Sequence, residues 1–323
     1  MAVALINPSN GLALERQGDE LRDSEGNPFP IVAGIPRMCA ADNYADSYGL
    51  QWNWFERVQI DRPGSGQMQS EQRLFAATGW NPDELGEADI LEVGSGAGRF
   101  TRVLLQKTRA RIWSVDFSSA VEANSRNNRD VAGDRLVIAQ ASIYELPFRD
   151  GSFDKVLCLG VLQHTPDFEA SVAALIRKAR PGGEIVVDFY PIRGFWTNLH
   201  AKYLLRPFTR RMSHERLLAL IDRNAGWMIK LAGALRRWKL GALTRLVPIV
   251  DERVAVPAGL TAEQHREWVV LDTFDMFSPE YDNPQRLPAV ARMFERHGAK
   301  VILADFIDVG GGARAAVVRA RRV

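Results

Sequence analysis

Three glycines at alternate positions, Gly94, Gly96 and Gly98, follow the apolar run Ile90-Leu91-Glu92-Val93 and open a stretch of helical character. Glycine reaches positive φ and lets a ligand lie against bare backbone. A glycine loop between a strand and a helix can therefore hold a nucleotide-like cofactor. The spacing narrows the choice. Dinucleotide loops usually read G-x-G-x-x-G, with a pyrophosphate over the helix N-terminus. Here the third glycine comes one residue early, Ser95 lies inside the loop, and Arg99 follows it. Glu92 stands two residues before Gly94; its carboxylate would repel a pyrophosphate and attract an ammonium group. Asp116 comes 18 residues after Gly98. An ionised carboxylate there can take two charge-assisted hydrogen bonds from a ribose. The competing role is a cap for the helix that starts near Ser118.

Two further groups of residues have chemical potential. His164 follows another apolar run, and its titration range suits a general base; the alternative is a histidine that packs or orients its loop. Asp154 stands at the start of that run, at the far end from the loops, and reads as structural. The aromatic segment Asn43–Phe55 offers Tyr44 as a candidate catalytic residue and Tyr48 and Trp52 as candidate acceptor-binding residues, with Gln51 beside them. Its competing role is a helix that buries aromatics on a sheet. Cys39 and Cys158 lack metal-binding spacing, so no metal is expected.

Positioning these residues requires regular elements. Short, nearly continuous apolar runs at 90–93, 111–116, 136–140, 153–159 and 184–189 alternate with helical stretches at 98–105, 118–128 and 167–179. Runs of that kind suit a parallel sheet covered on both faces. Alternating βαβ units then predict a doubly wound α/β fold. A helix at 288–296 and strands at 300–305 and 315–319 follow. The organisation expected is an N-terminal hairpin and aromatic cap over 1–72, a core over 73–192, a basic helical insertion over 193–262, and the rest of the core over 263–323. Within the insertion, helices are expected near Ser213–Ile221 and Trp227–Trp238.

The chain has 323 residues, 46% hydrophobic and 25% charged, with a formal net charge of +2. That balance gives no global field suited to nucleic acid. Segment 193–246 alone carries 12 Lys or Arg and 2 acidic residues. It reads as a solvated lid, as a wall for an anionic acceptor such as a nucleotide- or lipid-linked sugar, or as a peripheral membrane contact. The N-terminus lacks a leader pattern and no long apolar window is present, so a cytoplasmic protein is expected. Oligomeric state is not encoded legibly.

Residues 86–190 resemble the class I, Rossmann-like SAM-dependent methyltransferases, notably the quinone and small-molecule group. The resemblance runs through Ile90–Gly98, Val115-Asp116-Phe117-Ser118, Ala139–Phe148, Ser152–Val156, Val161–Asp167 and Leu175–Gly183. It implies a seven-stranded, mostly parallel sheet and S-adenosylmethionine as cofactor. By that resemblance Glu92, Gly94, Ser95, Gly96 and Gly98 hold the methionine end. Asp116 and Phe117 take ribose and adenine, Ser142 and Ile143 line adenine, and Leu159 and Gly160 flank the sulfonium. The family usually carries Asp at position 142, so Ser142 implies adenine binding weaker by about 1 kcal/mol. The implied reaction is methyl transfer to an O, N or C atom of a small-molecule or glycan-type acceptor. The alternatives are another SAM-using transferase and a non-catalytic SAM-fold regulator. The run Phe29–Met38 also resembles the tail of a zinc-ribbon-like module, without its cysteine pairs.

Overall fold

A computed structural model describes residues 3–40, 43–61, 68–192, 200–252, 256–257, 259–310 and 313–323. Trp196 of the basic segment and residues 62–67 lie outside these residues. Seven strands form the main sheet in the order β10-β11-β9-β8-β5-β6-β7. They are β5 (Asp89–Val93), β6 (Arg111–Asp116), β7 (Leu136–Gln140), β8 (Phe153–Leu159), β9 (Ala179–Phe189), β10 (Ala299–Asp308) and β11 (Arg314–Arg322). Strands β7, β6, β5, β8 and β9 are mutually parallel, whereas β11 runs antiparallel to both β9 and β10. This is the doubly wound, mostly parallel sheet the sequence predicts. The strand order reverses at β5, between β6 and β8, and such a reversal opens a crevice at the carboxyl ends of the strands.

Both faces are covered. Ile90, Ile112, Leu157 and Val317 pack under α2 (Gln69–Thr78) and α3 (Arg99–Lys107). Leu91, Val115, Val156 and Val187 pack on the opposite face under α5 (Phe168–Lys178) and the helix Leu287–Arg296. Helix α4 (Val121–Ala132) follows β6. The N-terminal hairpin is in fact a four-stranded antiparallel meander, β1 (Glu15–Gln17), β2 (Glu20–Arg22), β3 (Pro28–Val32) and β4 (Ile35–Pro36), each strand pairing with the next. Buried Asp23, in the turn from β2 to β3, joins that turn to the chain ahead of β1 by accepting hydrogen bonds from the side chains of Asn7, Asn10 and Asn27.

The insertion differs from expectation in two ways. Its two expected helices are one, α7 (His214–Arg237), preceded by α6 (Ala201–Thr209). A further helix, α8 (Ala262–Phe277), packs on α7 through Val270, Phe274 and Phe277. The boundary placed at 262 therefore falls at the start of a helix that packs on the insertion's α7. Thr261 and Gln264 form a reciprocal capping box at its N-terminus. The final core helix, α9, is Leu287–Arg296.

Candidate active site

Strand β5 delivers its chain into the glycine loop at the crevice. All three glycines are left-handed, with φ of 77°, 53° and 80° at Gly94, Gly96 and Gly98. Two of them also face crowded neighbours. A Cβ on Gly94 would overlap the Val161 side chain, and one on Gly98 would overlap Asn124 and Asn128 of α4. The loop is pinned from β6. One Asp116 oxygen accepts from the Gly96 amide at 2.8 Å, and the other from the amide and hydroxyl of Ser118. Asp116 thus caps the following turn, as the competing role proposed, while also facing a cavity of about 760 Å3. Its ionised oxygens retain capacity for further donors. Burial raises its pKa.

That cavity collects most of the candidate residues. It is lined by Gly94, Ser95, Gly96, Asp116, Phe117, Ile143, Leu159 and Gly160 below, and by Tyr44, Tyr48, Gln51, Trp52 and His164 beside them. Three candidates do not line it. Gly98 serves the α3–α4 contact. Ser142 is turned to its own backbone and accepts from the Tyr144 amide, which removes it from the place expected for adenine. Glu92 is buried beneath the loop, where Thr101 and Ser114 donate to one carboxylate oxygen. Its other oxygen has no partner among the described residues. Burial raises its pKa to about 7.

The aromatic helix α1 (Asp46–Trp54) lies over the loop rather than burying its rings on the sheet. Its buried residues are Ser47, Gly49 and Gln51. Gly49 packs on Ser119, and Asn53 donates to the Ser119 carbonyl. Arg126 of α4 reaches both Asn53 and Glu56. So fixed, α1 brings the Trp52 indole against Gly96, where a Cβ would lie 3.0 Å from Nε1. Tyr44 packs on Phe117 with ring centroids 4.9 Å apart. His164 is buried between Tyr48 and Tyr190, at 5.3 and 5.4 Å. Its Nδ1 lies 3.1 Å from the Tyr281 carbonyl oxygen, so Nδ1 carries the hydrogen and Nε2 is left as an acceptor. Burial lowers its pKa.

A set of charged residues went unnoticed in the sequence. Arg73 of α2 donates to Asp188 at the end of β9, at 2.7 Å, and the other Asp188 oxygen accepts from the Gly160 amide. Arg99 reaches Gln59 and Ser70; burial, reinforced by Arg73, lowers its pKa to about 9. Gln59 in turn donates to Asp272, which burial and then Asp275 raise to about 7. Tyr190 donates to Asp275 at 3.0 Å, and Lys202 pairs with Asp282. The one available signal was position: Arg73 sits between Ser70, Leu74 and Ala77 on the buried face of α2. Among the described residues no cluster of three His, Cys, Asp or Glu could hold a metal ion.

Substitution of Gly94 by alanine tests the loop. The left-handed backbone costs about 1–2 kcal/mol for an L-residue, and overpacking against Val161 about 1–3 more. Gly86 is equally left-handed at φ 54°, with open space around its Cβ position. Gly86→Ala is thus expected to lose stability only for its backbone. Gly94→Ala is expected to lose more, by about 1–3 kcal/mol in urea unfolding. Equal losses in the two variants would show that Val161 yields freely.

Residues 91–187 match the family model described as a methyltransferase domain. Together with the sheet order and the glycine loop, the match marks residues 91–187 as a methyltransferase domain. An uncharacterized protein of Synechococcus sp. is 35% identical over 110 residues, covering 33% of this chain and 26% of that one. The demethylmenaquinone methyltransferase of Mycolicibacterium gilvum is 29% identical, covering 48% of this chain and 64% of its own. This chain therefore spans about a quarter of the first relative and less than two thirds of the second. Among solved structures, a chain from the complex of the Haloferax volcanii Trm112 methyltransferase activator with a methyltransferase superposes with a TM-score of 0.50 at 12% identity. It covers 87% of this chain and 97% of that chain, and shows the shared fold.

Proposed function

We propose that this chain is a methyltransferase that uses S-adenosylmethionine to methylate a small-molecule acceptor, most favourably at an ionisable oxygen. The observation that carries this reading is one continuous cavity, walled by the glycine loop on one side and by His164 and its aromatic neighbours on the other. The loop half fits the cofactor. Three left-handed glycines present bare backbone, Asp116 faces the space, and Phe117 and Ile143 offer apolar sides to an adenine. Buried polar atoms of Gln51, Tyr48 and Arg73 have no partner among the described residues and stand ready for a zwitterionic ligand. Arg73, beside Gly160, would meet its carboxylate, and Asp116 its ribose. When bound, the cofactor supplies an activated methyl group on sulfur.

The residues around it orient the acceptor, exclude water and take a proton. Holding two reactants in line can contribute roughly 7–11 kcal/mol of the barrier. Neutral His164, with Nε2 free to accept, is placed to take a hydroxyl proton. Tyr44, Tyr48 and Trp52 give the acceptor apolar walls, while Arg245 offers a positive charge to a negatively charged portion. The name of the Mycolicibacterium relative supports an acceptor of the small, ring-containing kind.

Titration calorimetry with SAM and with NAD tests the cofactor, and transfer of labelled methyl from SAM to a panel of phenols, hydroquinones and sugar nucleotides tests the acceptor. Binding of NAD without SAM would refute the reading. His164→Gln is expected to lower kcat by about 10²–10⁴-fold with small change in SAM affinity. Because burial lowers the His164 pKa, the base stays neutral down to below 6.5. The parent's rate should therefore fall only on the acid side of that value, and the variant should lack this limb. A retained acid limb would assign the proton transfer elsewhere.

A further inference from the structure

Helix α7 has two apolar faces. Leu217, Ile221, Ala225, Met228 and Ala232 are buried against α8 and its surroundings. Leu220, Trp227, Leu231 and Trp238, by contrast, are 49%, 51%, 39% and 68% exposed. They follow one another at intervals of seven, four and seven residues, which returns each to the same side of an α-helix. Alongside them run four cations at a strict seven-residue interval: Arg216, Arg223, Lys230 and Arg237. All four are exposed, and none has an acidic partner among the described residues. Arg236, off this row, is tied to Asp251 and Glu252 instead. Helix α7 then turns through Lys239, at φ 61°, into a 3₁₀ helix at Gly241–Leu246. There Leu240, Leu243 and Leu246 are exposed at three-residue spacing, which aligns them along one side of a 3₁₀ helix.

We propose that this face of α7 docks the protein on the surface of an anionic lipid bilayer. From Arg216 to Arg237 the row extends about 32 Å along the helix axis. The row winds only about 60° around the helix over that length, and it complements an extended plane of negative charge better than a single bound anion. An exposed tryptophan and leucine stripe flanked by Lys and Arg is the composition of helices that lie in the lipid interface. No described helix is long and apolar enough to cross a membrane, so the contact is a surface one. The 3₁₀ segment that continues the exposed stripe also contributes Arg245 to the cavity wall. Docking and acceptor entry thus share one piece of chain, and an amphiphilic acceptor is the class this favours. The docking itself does not rest on the proposed methyl transfer, and its test needs no turnover.

The test is co-sedimentation of the full chain with vesicles of phosphatidylcholine alone and of equimolar phosphatidylcholine and phosphatidylglycerol. Partition onto the anionic vesicles is expected, falling steeply with added salt, with little on the neutral ones. Arg223→Glu with Lys230→Glu should lower the partition coefficient by roughly thirtyfold or more. Trp227→Ser with Trp238→Ser should lower it several-fold and abolish the blue shift of tryptophan emission on binding. Circular dichroism and SAM titration confirm that each variant is folded. Equal partition to both vesicles, no partition at all, or variants that bind like the parent would overturn the proposal. Concentration-dependent self-association abolished by Trp227→Ser would also overturn it, assigning the face to a second copy.

Discussion

Replacement of Arg73 by methionine is expected to lower the unfolding free energy by about 2–4 kcal/mol and to remove measurable SAM binding. Asp188 is 2% exposed on its side chain, and Arg73 30%. A buried ion pair adds little over an apolar pair of the same shape, but removal of one partner strands the other charge at a cost of about 3–5 kcal/mol. The partial exposure of Arg73 discounts that figure. The loss should spread into the site, because the Asp188 carboxylate also holds the Gly160 amide, and Gly160 lines the cavity. The double variant Arg73→Met, Asp188→Asn should be more stable than Arg73→Met alone, since it strands no charge. It should still bind SAM poorly, since the guanidinium proposed for the methionine carboxylate is gone. Urea unfolding and calorimetry on the four proteins of the cycle measure both effects. Additive stability losses, or wild-type SAM affinity in either variant, would sink the account.

The contrast between Arg73 and the glycine loop shows what was legible beforehand. The loop is a local device. Left-handed backbone at alternate positions demands glycine whatever the rest of the chain does, so the residues announce the conformation. Asp116 is local in the same sense, being the last residue of the strand beside β5. Arg73 and Asp188 are 115 residues apart and meet only because α2 covers the sheet face where β9 ends. No spacing rule joins them. Helix α8 was missed for another reason. Trp268, Val269, Val270, Leu271, Phe274 and Phe277 are all buried, so its pattern lacks the one-sided stripe of a surface helix. Its capping box, Thr261 with Gln264, was the readable signal. Helix α7 was read as two pieces because Asn224 and Gly226 interrupt its propensity, whereas contact with α8 keeps it continuous.

Glu92 is where local reading and packing disagree most, and Glu92→Gln is expected to make the ligand-free protein more stable at neutral and alkaline pH. The acid was expected to meet the cofactor's ammonium, yet it lies under the loop, 2% exposed, with one oxygen unpartnered. Burial moves its pKa from 4.5 to about 7 against the opposing hydrogen bonds from Thr101 and Ser114. That displacement corresponds to roughly 3 kcal/mol disfavouring the ionised form. The folded chain therefore holds a proton on Glu92 between pH 4.5 and about 7 that the unfolded chain has released. Stability from this group is complete below 4.5 and is lost as pH rises through about 7. Glutamine cannot ionise, so that loss disappears, and the variant should gain up to about 3 kcal/mol over the parent above pH 7. Asp272, raised from 3.8 to about 7, keeps a decline of its own in place in both proteins. Unfolding free energies across this range measure the difference; a variant with the parent's slope would show that Glu92 ionises in the folded chain as it does in water. The persistence of an acid that weakens the resting protein is explained if the cation it favours arrives with the ligand. SAM affinity should then rise with pH through about 7 in the parent and stay flat in Glu92→Gln, which places the electrostatic cost of the buried carboxylate in the service of binding.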